Sequence, residues 1–399
     1  MVEHPLAILI ELENAIRPPY NHDEMLGMLK TCGYQLVEVM VQKRQTPSAR
    51  FFIGEGKLSE IQEKTAEDSG QYTVVFNHNL TPTQIHNLSE RMKVRVIDRK
   101  FLILEIFELH STTRESKLQI QLARLQLEYA LRKSEVRERV KGEHQGRDFK
   151  GKGEGIFESF RRDFRKREAS IREELREIEK QRGNQRKLRV KQGVVSIVGY
   201  TNAGKTALLN ILTHENLPSR DELFTTLTTT TRQYDYKGQS FLVTDTVGFI
   251  ADLPEDLLKA FMTTLQEILY SQGILLIIDV SEPKDQVIKK MKVSQEILAK
   301  IGAMDIPLLN VFNKMDLVPP EKLQSTMETL QNLFPNSVFI SALTGENLKI
   351  LKEQVLSSFS KPREMAQPTE QSNRDKVKMN EPVDVSGEKT FHVKNPSKN

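Results

Sequence analysis

Two glycines, a lysine and a hydroxyl follow one another in the stretch Gly199-Tyr200-Thr201-Asn202-Ala203-Gly204-Lys205-Thr206. That spacing suits the wrapping of a phosphate. The glycines let the backbone curl so that successive N–H groups point at one anion. Lys205 is placed to reach the terminal phosphates, and the Thr206 hydroxyl to ligate Mg²⁺. The competing reading is a chance glycine-rich turn, and context decides between the two. Residues 194–198 form a short apolar run that reads as a buried strand. Leu208, Leu209, Ile211 and Leu212 then mark a helix. Strand, loop and helix in that order add the positive end of a helix dipole to the anion site.

Further residues fit the same chemistry in chain order. Phe224-Thr225-Thr226-Leu227-Thr228 opens a threonine-rich stretch running to Thr231. A hydroxyl in such a loop can complete a Mg²⁺ shell only when a γ-phosphate is present, as in a switch. The residue types alone leave Thr226 and Thr230 both open as that ligand. A strand over 241–244 ends in Asp245-Thr246-Val247-Gly248. The aspartate can hold the Mg²⁺ shell, directly or through water, and a glycine N–H can approach the γ-phosphate closely. Lys205, Thr226 and Gly248 are the candidate catalytic groups.

Strands over 274–280 and 308–312 follow, and the second ends in Asn313-Lys314-Met315-Asp316. A carboxylate there accepts two hydrogen bonds from guanine, whereas adenine lacks both donors, so discrimination is sharp. A strand over 338–340 ends in Ser341-Ala342-Leu343, placed to bring a backbone N–H to the guanine oxygen. Together these strand-end groups imply a guanine nucleotide. Phe249 follows Gly248, where Ras-type enzymes carry a water-orienting glutamine. An apolar side chain cannot polarise water. Slow intrinsic hydrolysis, completed by a cation, a loop or a partner, is therefore expected.

These groups need elements to hold them. The 399 residues suffice for two or three domains. Residues 1–110 alternate strand and helix patterns: strands over 6–11, 35–41, 72–77 and 94–97, helices over 23–32, after 57 and from 81. That predicts a small parallel α/β subdomain. Gly54-Glu55-Gly56-Lys57 reads either as a ligand loop beyond a strand end or as a plain turn with a solvated lysine. Residues 111–190 predict two long helices, about 115–140 and 157–182, joined by a flexible tip with Gly142, Gly146, Gly151, Gly153 and Gly155. This is an antiparallel helical hairpin. Residues 191–361 predict a Ras-like P-loop domain, and 362–399 a polar, disordered tail.

Residues 114–189 carry 23 Lys/Arg against 14 Asp/Glu, while the whole chain is only +4. The rest of the chain is thus net acidic. Arg132, Lys133, Arg137, Arg139, Arg161, Arg162, Arg165, Lys166 and Arg167 make the hairpin a candidate polyanion contact, against the plainer reading of a solvated helix face. The single cysteine, Cys32, excludes an internal disulfide and a cysteine zinc cluster. The longest apolar runs, 6–10 and 274–278, are too short to span a bilayer. A cytoplasmic monomer without membrane insertion is expected.

The chain resembles the HflX family of translational GTPases, also called ribosome-splitting factors. The resemblance rests on Phe52-Ile53-Gly54-Glu55-Gly56-Lys57, Val96-Ile97-Asp98-Arg99, Lys117-Leu118-Gln119 with Gln121-Leu122-Ala123, Gly199-Tyr200-Thr201-Asn202-Ala203-Gly204-Lys205 and Asp245-Thr246-Val247-Gly248-Phe249-Ile250. It covers about residues 5–360. It implies GTP and GDP as ligands and a GTPase that contacts the large ribosomal subunit and ribosomal RNA, the hairpin tip reaching toward the peptidyl transferase centre. It implies a role in ribosome dissociation, recycling or stress. The alternative is a GTP-gated RNA chaperone or assembly factor using the same hairpin. The family's switch motif F-A-T-L-D falls on residues 224–228, which points to Thr226 as the Mg²⁺ ligand, with Thr228 in the aspartate's place. Likeness to the Era/TrmE class makes Asn202 a candidate K⁺ ligand. Some family members bind ATP through the N-terminal domain. The tip reads Gly151-Lys152-Gly153-Glu154-Gly155-Ile156-Phe157-Glu158, where the family reads G-P-G-E-T-Q-L-E. A shorter form without the extra C-terminal domain is expected.

Overall fold

Alternating burial within one strand sets the architecture of the first hundred residues. In β1 (Leu6–Glu13), Ala7 and Leu9 face one apolar cluster while Ile8, Ile10 and Leu12 face another. A strand buried on both faces belongs in the middle of a parallel sheet. The computed structural model describes residues 5–13, 21–66, 70–142, 150–189, 193–213, 230–246, 248–250 and 265–360, except the side chains of 137–142, 150–156, 182–189, 230 and 266.

Four parallel strands lie in the order β2-β1-β3-β4, with β2 at Gln35–Lys43, β3 at Tyr72–Phe76 and β4 at Arg95–Asp98. Helices α1 (His22–Thr31) and α4 (Arg99–His110) cover one face. Helices α2 (Glu55–Thr65) and α3 (Pro82–Met92) cover the other. The caps follow from sequence: the Asn21 side chain accepts from the N–H groups of Asp23 and Glu24, and Thr81 and Gln84 form a capping box ahead of α3. The Asp98 carboxylate accepts from the backbone N–H groups of Phe101 and Leu80, both at 3.1 Å. Gly54 is the N-cap of α2, and Lys57 lies inside that helix, 2.7 Å from Glu60.

The hairpin consists of α5 (Arg114–Gly142) and α6 (Lys150–Arg189). Tyr129 stacks on Phe164 with ring centroids 4.1 Å apart and on Phe160 at 5.9 Å, and Arg114 pairs with Glu174. Helix α6 corrects the expectation. It begins at Lys150 rather than 157 and ends at Arg189 rather than 182, so Gly151, Gly153 and Gly155 are helical. Each glycine costs only about 1 kcal/mol in a helix. Extension from an established helix adds one hydrogen bond per residue without a new nucleus. Residues 143–149, including Gly146 of the expected tip, and the tail 362–399 lie outside the described residues.

The second sheet has the order β10-β9-β8-β5-β7-β6. Its strands are β5 (Val194–Gly199), β6 (Thr230–Tyr236), β7 (Gln239–Asp245), β8 (Gly273–Asp279), β9 (Leu308–Asn313) and β10 (Ser337–Phe339). All pairs are parallel except β6–β7, a hairpin that turns at Lys237-Gly238 with both residues at positive φ. Every residue of β8 is buried. Helices α7 (Lys205–Thr213), α8 (Lys284–Lys300), α9 (Pro320–Leu333) and α10 (Leu348–Phe359) flank the sheet. Fully burying each of the isoleucines and leucines of β8 contributes about 1.5–3 kcal/mol. Among the described residues no helix is long and apolar enough to cross a membrane.

Candidate functional site

The carboxyl ends of β5, β7 and β9 bring the sequence-marked residues to one edge of the second sheet. β5 runs out at Gly199, and α7 begins at Lys205. The loop between them closes on the residues after β7. Thr201 N–H donates to the Phe249 carbonyl at 2.8 Å, and Phe249 N–H donates to the Gly199 carbonyl at 2.9 Å. These two bonds bring Gly248 against the loop. A Cβ at Gly248 would stand 2.7 Å from Thr201 Cγ2 and 3.0 Å from Lys205 Nζ, so no other residue fits without displacing them.

Lys205 Nζ is buried and donates to the Tyr200 carbonyl at 2.8 Å. Burial lowers its pKa from the ordinary lysine value to about 8, with nearby Asp245 acting the other way. Thr206 Oγ1 donates to Asp245 Oδ2 at 2.9 Å. A hydroxyl and a carboxylate converging on one point are a hard-oxygen donor pair that fits Mg²⁺. Thr246 Oγ1 donates to the Ile197 carbonyl, which ties the end of β7 to β5. Asn202 is exposed at φ 62°, at the tip of the loop.

At the other end of the edge, Asn313 acts as a brace. Its amide nitrogen donates to the Ala203 carbonyl at 2.8 Å, and its amide oxygen accepts from Ala342 N–H at 2.9 Å. Gly204 packs against it so closely, at φ 91°, that a Cβ would lie 2.3 Å from Asn313 Nδ2. Lys314, at φ 65°, pairs with Asp279 at 2.7 Å. Asp316 stands exposed on the short 3₁₀ turn Met315–Leu317. Ser341 is buried and its hydroxyl accepts from Thr344 N–H, while Leu343 is 86% exposed. The edge thus holds a polar, buried end around Lys205 and Asp245 and an end at which the Asp316 carboxylate faces solvent.

Phe249 is 3% exposed and packs with Val198, Tyr200, Leu265 and Ile268. Its ring is part of the core and offers nothing to a water. Phe224, Thr225, Thr226, Leu227, Thr228 and Val247 lie outside the described residues. Thr230 begins β6, opposite Asp245 in register. Asp279 and Tyr200's side-chain contacts were not anticipated. Asp279 ends β8, so the rule that ligands sit beyond the carboxyl ends of strands would have flagged it. Among the described residues no group of three or more His, Cys, Asp or Glu is gathered as a metal cluster.

Three family models match the chain: GTP-binding GTPase N-terminal at residues 20–108, GTP-binding GTPase Middle Region at 110–189, and 50S ribosome-binding GTPase at 194–314. The chain is similar to GTPase HflX of Methanocaldococcus jannaschii, 40% identical over 84% of this chain and 83% of that protein. It is similar to GTPase HflX of Escherichia coli, 37% identical over 87% of this chain and 80% of that protein. A solved structure of SsGBP in complex with GDP is 27% identical, covers 89% of this chain and 98% of that one, and superposes with a TM-score of 0.51.

Proposed function

The chain belongs to the HflX family of GTPases, and on that premise we propose that it hydrolyses GTP at the β5–α7 loop and acts on the large ribosomal subunit. The observation that carries the hydrolytic half is the convergence of Lys205, Thr206, Asp245 and Gly248 on one loop. Backbone N–H groups of Asn202 and of 204–206 would receive the phosphates, since Thr201 N–H is held by the Phe249 carbonyl and Ala203 N–H by the Tyr200 carbonyl. Lys205 would leave the Tyr200 carbonyl for a phosphate oxygen, and the phosphate charge would favour its ammonium form. Thr206 and Asp245 would hold Mg²⁺, which neutralises charge developing on the phosphates. Thr226 is the proposed switch ligand and Gly248 the γ-phosphate contact. Asp316 would read guanine, with Asn313 and Lys314 shaping its setting and Ser341, Ala342 and Leu343 lining the base. Asn202 is proposed to ligate K⁺. Equal turnover in sodium and potassium would remove that ligand.

With Phe249 in the core, the described residues supply no side chain that orients water from the glutamine position. The missing group would come from the ribosome. Support for that partner is the match to a family described as a 50S ribosome-binding GTPase and the exposed Arg162, Arg165, Lys166 and Arg167 on α6. The proposed action is ribosome dissociation or recycling.

GTP turnover in potassium buffer, alone and with purified large subunits, tests this reading. Strong stimulation is expected. Intact GTP binding without stimulation would instead favour an RNA chaperone or assembly factor working through the hairpin.

A further inference from the structure

Tyr200 belongs to the phosphate loop, yet its side chain points away from it. The hydroxyl donates to Glu24 Oε2 of α1 at 3.4 Å. Glu24 Oε1 in turn accepts from Arg99 Nη2 of α4 at 3.0 Å, in an ion pair whose side chains are 6% and 0% exposed. The other flank of the ring is covered from within the second sheet's domain. Lys290 Nζ of α8 lies 4.7 Å from its centroid and is anchored to Glu282 at 2.6 Å. One residue after Phe249, Ile250 is 1% exposed and packs into the apolar cluster of the N-terminal sheet, with Met25, Met28 and Leu102. Helix α1 therefore meets both segments that close the nucleotide edge, and α4 meets the Ile250 segment directly and Tyr200 through Glu24.

A buried ion pair contributes little net stability compared with apolar residues of equal volume. What the Arg99–Glu24 pair does supply is direction. Arg99 takes one carboxylate oxygen and leaves the other aimed at Tyr200. Tyr200 then carries two loads on one residue: its hydroxyl on the N-terminal domain, and its carbonyl on Lys205. A displacement of the Tyr200 backbone would shift both the loop and the carbonyl on which Lys205 rests before nucleotide binds.

We infer that Glu24 and Arg99 are positioning residues of the nucleotide site, acting through Tyr200, so that the N-terminal α/β domain sets how fast nucleotide leaves. This inference rests on the nucleotide reading above. Tyr200→Phe deletes the hydroxyl and keeps the ring under Lys290. Glu24→Gln leaves one acceptor oxygen for two donors, Arg99 and Tyr200, and removes the charge that Arg99 orients.

The test is the release rate of a fluorescent GDP from the full-length chain, by stopped flow, for wild type, each single variant and the double variant. Tyr200→Phe is expected to release GDP about fivefold faster, the weight of one modest hydrogen bond. The double variant should release no faster than the faster single one, because both act on one linkage. A merely structural pair would lower the melting temperature of Glu24→Gln and leave its release rate unchanged. That outcome, or a Tyr200→Phe rate equal to wild type, overturns the inference while GDP still binds. Failure of the wild type to bind GDP at all would overturn the nucleotide reading and the inference with it. If Glu24→Gln does not fold, the Tyr200→Phe rate alone decides.

Discussion

Thr206 Oγ1 and Asp245 Oδ2 lie 2.9 Å apart, the hydroxyl donating to the carboxylate across the gap between α7 and β7. The two oxygens are already side by side, so Thr206 and Asp245 would hold a cation arriving with the phosphates by giving up one hydrogen bond, without a rearrangement of the chain. Chelating Mg²⁺ should speed GDP release from the wild type by about tenfold or more, since such a cation contributes several kcal/mol of charge stabilisation. Thr206→Val keeps the shape and deletes one ligand. It should release GDP quickly with or without chelator, and a Thr206→Val protein that still responds fully to EDTA would take Thr206 out of the metal shell.

Lys205 predicts a pH dependence. Burial holds its pKa near 8, below the ordinary value of 10.5. Below pH 8 both the folded and unfolded chains carry the proton. Between about 8 and 10.5 only the unfolded chain does, so the penalty for burying the ammonium fades and stability rises with pH. Bound phosphate works in the opposite sense because it favours the charged form. Binding should therefore take up a proton above pH 8, and GDP affinity should fall with rising pH by up to about tenfold per unit. Titration calorimetry in buffers of different ionisation enthalpy measures that uptake. A flat affinity and no uptake would mean that Lys205 does not meet the phosphates.

Asn313 and Asp316 share a motif but should fail differently. Asn313 bonds Ala203 and Ala342 from the core, so Asn313→Ala strands a buried carbonyl and a buried N–H. That should cost about 2–4 kcal/mol of stability as well as nucleotide binding. Asp316 is exposed, so Asp316→Asn should leave the unfolding midpoint unchanged. Its amide reverses one hydrogen-bond polarity, and preference should move from GTP toward xanthosine triphosphate. Unchanged GTP preference in a well-folded Asp316→Asn protein would remove the base-reading role.

The contrast between these two residues shows what could be read in advance. Each chemical motif of the second sheet sits where an apolar run stops, because parallel strands present their carboxyl ends to one edge. Gly199, Asp245, Asn313 and Ser341 were all legible for that reason. The brace made by Asn313 was not, because sequence spacing does not say which partner an amide finds. Nor was the start of α6, where three glycines suggested a break and helix extension overrode them. The contact between Tyr200 and Glu24 joins residues 176 apart in the chain. No periodicity or local motif encodes it. It follows only once α1 is packed on its sheet with Glu24 turned toward Arg99.

The hairpin carries the last expectation. Arg162, Arg165, Lys166 and Arg167 are exposed on one stretch of α6, next to Phe164, which is buried against Tyr129. Packing and charge are therefore separable here. Replacing Arg162, Arg165 and Lys166 together by glutamate leaves the aromatic stack intact and reverses the surface field. Helix content should hold, while co-sedimentation with large subunits should weaken by more than tenfold at moderate salt and its dependence on salt concentration should flatten, as expected when phosphate contacts are lost. Tyr129→Ala is the reciprocal variant. It keeps the charges and removes a buried ring, at about 3–5 kcal/mol by analogy with other large-to-small core changes, so it should loosen the hairpin and lower association with large subunits even though every cation remains. If the charge reversals bind large subunits as the wild type does, the basic face is an ordinary solvated surface and the ribosomal contact must be sought elsewhere on the chain.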